Sequence, residues 1–220
     1  MKPPVVQVAI DVTSLDDASR LIDDAIAAGA DWIELGKPLI EFVGLRGLLE
    51  LRPQLEGRYV VADAMILSAP EKYLRAAQEA GASNVTVTAL APRQTVVEAI
   101  EAGKRLGVAV TVDLFNVGDV LGAAQDFARA GADYLMVHFG VDQKRAHPDG
   151  SPIETLRAVV DSVDVPVSYA TYDLEESRRA LDAGASVIVQ GEPLLSAPDP
   201  RSALRDFIRH THSHAEGASA

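Results

Sequence analysis

Four stretches of this chain repeat one pattern, in which an amphipathic helical period stops at Ala-Gly-Ala and a strand-like apolar run begins. They are Ala28-Gly29-Ala30-Asp31-Trp32-Ile33-Glu34, Ala80-Gly81-Ala82-Ser83-Asn84-Val85-Thr86, Ala130-Gly131-Ala132-Asp133-Tyr134-Leu135-Met136 and Ala183-Gly184-Ala185-Ser186-Val187-Ile188-Val189. A glycine just past a helix takes the left-handed C′ conformation, and the hydrophobic period then changes from helical to extended. The copies recur about every 50 residues, roughly twice one βα unit of an eight-unit barrel, so they mark alternate units of an internal repeat.

The same periodicities fill in the units between them. Strands are predicted near 5–11, 31–36, 59–65, 84–89, 108–114, 133–139, 166–171 and 186–191. Helices are clearest at 15–28, 71–80, 93–106, 119–130, 152–162 and 174–183, with Ser14, Ser68 and Ser151 as candidate N-caps. Strict β-then-α alternation implies a parallel sheet with right-handed crossovers, and eight units imply closure. An open doubly wound sheet is the alternative, but no Gly-x-Gly-x-x-Gly follows any strand. The expected fold is α/β, a single (β/α)8 TIM barrel over residues 1–209, with a disordered tail from 210 to 220. The tail's His210-Thr211-His212-Ser213-His214 has metal-ligating side chains, but its polar, small-residue surroundings read as disordered.

Composition narrows the setting. A chain of 220 residues with 48% hydrophobic residues furnishes a substantial core. It has no Cys, no basic-then-apolar leader and no apolar run near the roughly 20 residues of a membrane span, so a cytoplasmic protein without membrane association is expected. The formal net charge of −12 disfavours nucleic acid as a partner, leaving a small-molecule substrate.

In such a barrel the chemistry sits at the C-terminal strand ends. Those ends carry Asp11; Glu34 followed by Lys37; Asp63 with Met65; Thr88; Asp113 with Asn116; His138 with Asp142; Tyr169 with Thr171; and Gln190 with Gly191. Three carboxylates on the first three strands repel one another unless a cation or a proton compensates. A hard oxygen-seeking cation such as Mg²⁺, or Mn²⁺, answers that need. Structural roles compete: Asp11 as a helix cap or a partner of Lys37, His138 as a core histidine, Lys37 as a solvated loop residue.

At this point Ala9-Ile10-Asp11, Ile33-Glu34-Leu35-Gly36-Lys37-Pro38, Val61-Ala62-Asp63-Ala64-Met65-Ile66, Val137-His138-Phe139-Gly140-Val141-Asp142 and Val187-Ile188-Val189 resemble the orotidine-phosphate decarboxylase superfamily. Within it the resemblance is to the branch of 3-hexulose-6-phosphate synthase and 3-keto-L-gulonate-6-phosphate decarboxylase, over about residues 5–208. It implies a homodimeric barrel whose Mg²⁺ stabilises an enediolate. It further implies Glu34 and Asp63 as metal ligands and Asp11 and His138 as catalytic groups; Thr88, Asp113, Tyr169, Thr171, Gln190 and Gly191, read from the strand ends, are the expected substrate contacts.

The chain departs from the family pattern where Asp-x-Lys-x-x-Asp becomes Asp63-Ala64-Met65-Ile66-Leu67-Ser68. A thioether neither donates a proton nor carries charge. The Gly-Gly pair after strand seven is Tyr169-Ala170, and the glycine-rich turn after strand eight is Gln190-Gly191-Glu192-Pro193. A carboxylate repels phosphate there and Pro193 lacks a backbone donor. Lys37 is a candidate replacement electrophile. The expected activity is a diverged metal-dependent carbon–carbon lyase, of aldolase or decarboxylase type, acting on a sugar phosphate or related polyhydroxy compound. The alternatives are a catalytically silent barrel that binds a ligand or partner, and an isomerase using the same metal corner on an unphosphorylated substrate.

Overall fold

Each strand sends alternate side chains to two different interiors, which is the geometry of a sheet closed on itself. The computed structural model describes residues 4–217 and shows a closed barrel of β1 (Val5–Ile10), β2 (Trp32–Leu35), β3 (Tyr59–Ile66), β4 (Asn84–Thr88), β5 (Ala109–Asp113), β6 (Tyr134–Val137), β7 (Val167–Thr171) and β8 (Val187–Gln190). Neighbours pair in parallel and β8 closes onto β1. Val6, Val8 and Ile10 of β1, with Ile33, Leu35, Val85, Val87, Val110 and Val112, face the surrounding helices in one large core. Ala9, Met136, Val187 and Val189 form a smaller core inside the barrel. At the N-terminal ends of the strands Trp32 stacks on Tyr59 with centroids 4.1 Å apart and meets Tyr134 edge-on at 5.3 Å. These rings fill the barrel's lower end, leaving polar side chains for the other.

The outer layer comprises α1 (Leu15–Ala28), α2 (Lys37–Gly47), α3 (Pro70–Glu79), α4 (Arg93–Leu106), α5 (Val120–Ala130), α6 (Val141–Ala146), α7 (Ile153–Val160), α8 (Leu174–Asp182) and α9 (Pro200–Gly217). The four repeat glycines, Gly29, Gly81, Gly131 and Gly184, take φ values of 96°, 96°, 92° and 95°, the left-handed stop expected of them. Ser14 caps α1 by accepting from the Asp17 N–H at 3.2 Å. The other two expected caps are different. Ala69, at φ 49°, precedes α3, whose first residue is Pro70, preorganised for a helix start. Ser151 gives its hydroxyl to Glu176 and leaves α7 without a side-chain cap.

The C-terminal segment corrects the expectation of disorder from residue 210. Leu204, Phe207, Ile208 and Thr211 are all buried at helical spacing, and α9 runs on through Gly217 against α1 and α8. His212 Nε2 lies 2.9 Å from Asp31 and His214 Nε2 lies 2.9 Å from Asp182, so these imidazoles fasten the helix. Residues 218–220 of the expected tail lie outside the described residues.

Candidate active site at the barrel mouth

Strand parity decides which polar residues share the mouth. On β1, Gln7 and Ala9 point inward and Asp11 follows them at the rim; on β2, Glu34 is the inward residue, paired in register with Ala9. The Gln7 amide donates to Glu34 Oε2, and Glu34 is 6% exposed. Burial drives the Glu34 pKa well above the carboxylate range; Asp63, Asp11 and Asp113 push it further, against the Gln7 hydrogen bond.

Asp63 owes its position to an irregularity. The β3–β4 register slips between Ala62 and Ile66, and Met65 takes φ 38° within the slip. Thr86 on β4 secures this bulge from both sides, accepting from the Met65 N–H at 2.8 Å and donating to Asp63 Oδ1 at 2.6 Å. Asp63 is raised to about 6, first by burial and then by Asp113 and Asp11, while Thr86 and His138 pull it down.

Asp113, 1% exposed at the end of β5, spends both oxygens locally. Oδ1 accepts from the Phe115 N–H at 2.8 Å, and Oδ2 lies 3.0 Å from His138 Nδ1. That contact assigns the proton to Nδ1 and leaves Nε2 as the uncommitted ring nitrogen. Burial alone would lower the His138 pKa, but the charge and hydrogen bond of Asp113, then Asp63 and Asp11, raise it overall. Asp11 is exposed at the rim; desolvation in the mouth and the charge of Glu192 raise its pKa, against the attraction of His138. Two glycines make room for it. A Cβ at Gly36 would overlap Asp11 Oδ1 and lie 2.8 Å from the Ile10 carbonyl, and one at Gly191 would lie 2.8 Å from the Ala9 carbonyl and 3.6 Å from Asp11 Oδ2.

The structure therefore brings Asp11, Glu34, Asp63, Thr88, Asp113, His138 and Gly191 to the inward face of the strand ends, and turns Lys37, Tyr169, Thr171 and Gln190 away from it. Lys37 forms an ion pair with Glu41 one turn along α2, because the i,i+4 partner is closer than the mouth. Thr88 is buried and its hydroxyl accepts from the Leu90 N–H at 3.2 Å, shaping the turn after β4. Tyr169, Thr171 and Gln190 have the wrong parity: they point into the helical layer. Tyr169 is wholly buried and donates to Glu176 at 3.0 Å, and Thr171 donates to Gln190 at 3.0 Å. Asp113, expected along the substrate, positions His138. Gln7, Thr86 and Gly36 complete the site without any charge to mark them in the sequence; counting back by twos from Asp11 and Thr88 is the signal that reaches the first two.

Among the described residues no group of three or more His, Cys, Asp or Glu forms a ready-made metal cage. A divalent cation still fits the chemistry of Glu34 and Asp63, two carboxylates crowded in a desolvated mouth with raised pKa values. Mg²⁺ takes one or two protein carboxylates and completes its octahedron with water or substrate oxygens, whereas Zn²⁺ uses three or four protein ligands.

Comparison with known proteins concerns the whole barrel. The profile described as the orotidine 5'-phosphate decarboxylase / HUMPS family matches residues 4–207. The chain is 34% identical to 3-hexulose-6-phosphate synthase of Mycobacterium gastri over 202 residues, covering 91% of this chain and 96% of that one. It is 28% identical over 206 residues to a protein named bifunctional enzyme Fae/Hps from Methanothrix thermoacetophila, covering 94% of this chain but 52% of the relative. It thus spans about half the length of several curated relatives it matches. A crystal structure of 3-hexulose-6-phosphate synthase superposes with a TM-score of 0.86 at 31% identity, covering 94% of this chain and 99% of that one.

Proposed function

The chain belongs to the orotidine 5'-phosphate decarboxylase / HUMPS family, in the branch of 3-hexulose-6-phosphate synthase and 3-keto-L-gulonate-6-phosphate decarboxylase, and from that premise we propose that it is a metal-dependent carbon–carbon lyase acting on a polyhydroxy carbonyl compound. The observation that carries this reading is the convergence of the buried Glu34 and the half-buried Asp63 with the Asp113–His138 pair on one strand-end face. Such a set can hold a cation on one side of a substrate and move a proton on the other.

Glu34 and Asp63 would hold Mg²⁺ or Mn²⁺, with Gln7 and Thr86 orienting the carboxylates. Bound there, the cation would supply Lewis-acid stabilisation of negative charge developing on the substrate. His138 Nε2 exchanges the proton at the reacting carbon or its oxygen, and Asp113 keeps the ring in one tautomer and stabilises its cationic form. Asp11 accepts from a substrate hydroxyl. Phe42, Leu67 and Leu90, respectively 73%, 60% and 50% exposed after the ends of β2, β3 and β4, support a homodimer built on that side of the cytoplasmic protein.

One observation favours the second reading, a barrel that binds a ligand without turnover: the expected ammonium is replaced by Met65, and Lys37 is engaged with Glu41. Calorimetry with Mn²⁺ and Mg²⁺, with and without a sugar phosphate, tests the metal corner. Wild type should bind either ion, and Glu34→Gln should weaken binding by about tenfold or more. Absence of any binding to wild type sinks the lyase reading.

A further inference from the structure

Many (β/α)8 barrels grip a substrate phosphate between the loops after strands seven and eight, with backbone N–H groups and a short extra helix. The side-chain donors around those two loops are committed here, and one backbone donor, at Pro193, is missing. Thr171 donates to Gln190, and the Gln190 amide donates to the carbonyls of Gly191 and Glu192 at 3.3 and 3.0 Å. The Tyr172 hydroxyl donates to the Phe139 carbonyl at 2.9 Å, the Asp173 carboxylate caps α8 at the Glu176 N–H, and Pro193 has no N–H.

In their place the rim presents an acceptor. Gly191 lies close to Ala9 and Asp11, and Glu192 follows it as an exposed residue at the rim. Ser196 donates to Glu192 Oε1 at 2.6 Å, and the second carboxylate oxygen has no partner among the described residues. The charge of Glu192 is felt at Asp11. The nearby cations of α6 are turned elsewhere: Lys144 donates to the Gly150 carbonyl at 3.1 Å beside the buried Glu176, and Arg145 lies 3.6 Å from Asp142.

We propose that Glu192 is a specificity-determining residue that admits an unphosphorylated polyhydroxy carbonyl substrate, its carboxylate accepting hydrogen bonds from the distal hydroxyls and repelling a phosphate at that position. This rests on the barrel mouth being the active site and says which members of the substrate class enter it. A carboxylate fixed by one neighbour and open on its other oxygen is a strong acceptor for sugar hydroxyls, and adding a phosphate dianion beside it brings like charges together.

The test is calorimetry of D-ribulose and D-ribulose 5-phosphate, each with and without Mn²⁺, on wild type, Glu192→Gln, Glu192→Arg and Glu192→Asp. Wild type should bind the free sugar at least as tightly as the ester. The ratio should move toward the ester by about tenfold in Glu192→Gln, a change worth about 1.4 kcal/mol, further in Glu192→Arg, and little in Glu192→Asp. Tighter binding of the ester to wild type by about tenfold overturns the proposal, as do a ratio indifferent to residue 192 and binding of neither sugar. Mn²⁺ titration of the same samples keeps the readings apart: lost metal binding with an intact sugar preference removes the lyase mechanism and leaves the role of Glu192 standing.

Discussion

His138 Nδ1 lies 3.0 Å from Asp113 Oδ2, and Asp113 is itself held by the Phe115 N–H, so the imidazole enters the mouth with one nitrogen committed. Replacing Asp113 by Asn keeps the shape and removes the charge that raises the His138 pKa. In Asp113→Asn the His138 pKa should fall in an NMR titration, and turnover should drop by roughly 10²–10⁴, the range general acid–base groups contribute. An unchanged pKa contradicts the pairing.

Asp63 and His138 make the stability of the metal-free protein depend on pH in one direction. Asp63 is raised from 3.8 to about 6, so its contribution is fully present below 3.8 and is lost as pH rises through about 6. His138 is raised above 6.5, so its contribution is present below 6.5 and is lost as pH rises through the higher folded value. Tm should therefore fall as pH rises across this window. Asp63→Asn should flatten the lower part and stabilise the metal-free protein at neutral pH by about 1 kcal/mol or more, a pKa unit being worth about 1.4 kcal/mol. The same substitution should weaken Mn²⁺ binding, and a thermal scan with and without Mn²⁺ reads both effects.

Gly36 is where the chain's own backbone sets the site. Gly36→Ala forces a methyl onto Asp11 and the Ile10 carbonyl, which should cost roughly 1–3 kcal/mol in urea unfolding, as overpacking does. Displacing Asp11 should also cut turnover more than metal affinity.

Away from the mouth, Glu176 is 1% exposed and accepts from Tyr169 at 3.0 Å and Ser151 at 2.9 Å, with Lys144 at 3.5 Å. Removing one partner of a buried network leaves the others unpaired, so Glu176→Ala should destabilise by about 3 kcal/mol in chemical denaturation. Glu176→Gln, which retains an acceptor for the two hydroxyls, should cost less.

The barrel was legible because helix and strand periods alternate without interruption and the Ala-Gly-Ala stops recur. The carboxylates Asp11, Glu34 and Asp63 were legible because a charge at the end of an apolar run demands a reason. That Tyr169, Thr171 and Gln190 face the helices is not legible in the sequence, for a physical cause. Val167-Ser168-Tyr169-Ala170-Thr171 has buried side chains on both faces of its strand, so hydrophobic alternation does not say which face is the lumen.

The sequence by itself determined the eight-unit barrel, the acidic strand ends and the family, since each depends on residue types at fixed spacing along one chain. Only the tertiary structure decided that Asp113 serves His138, that Thr86 places Asp63 across a bulge, that Lys37 turns to Glu41, and that Tyr169, Thr171 and Gln190 face the helices. Those facts depend on strand parity, register and competition between neighbours, and all three are settled only when the sheet closes and each side chain finds its nearest partner.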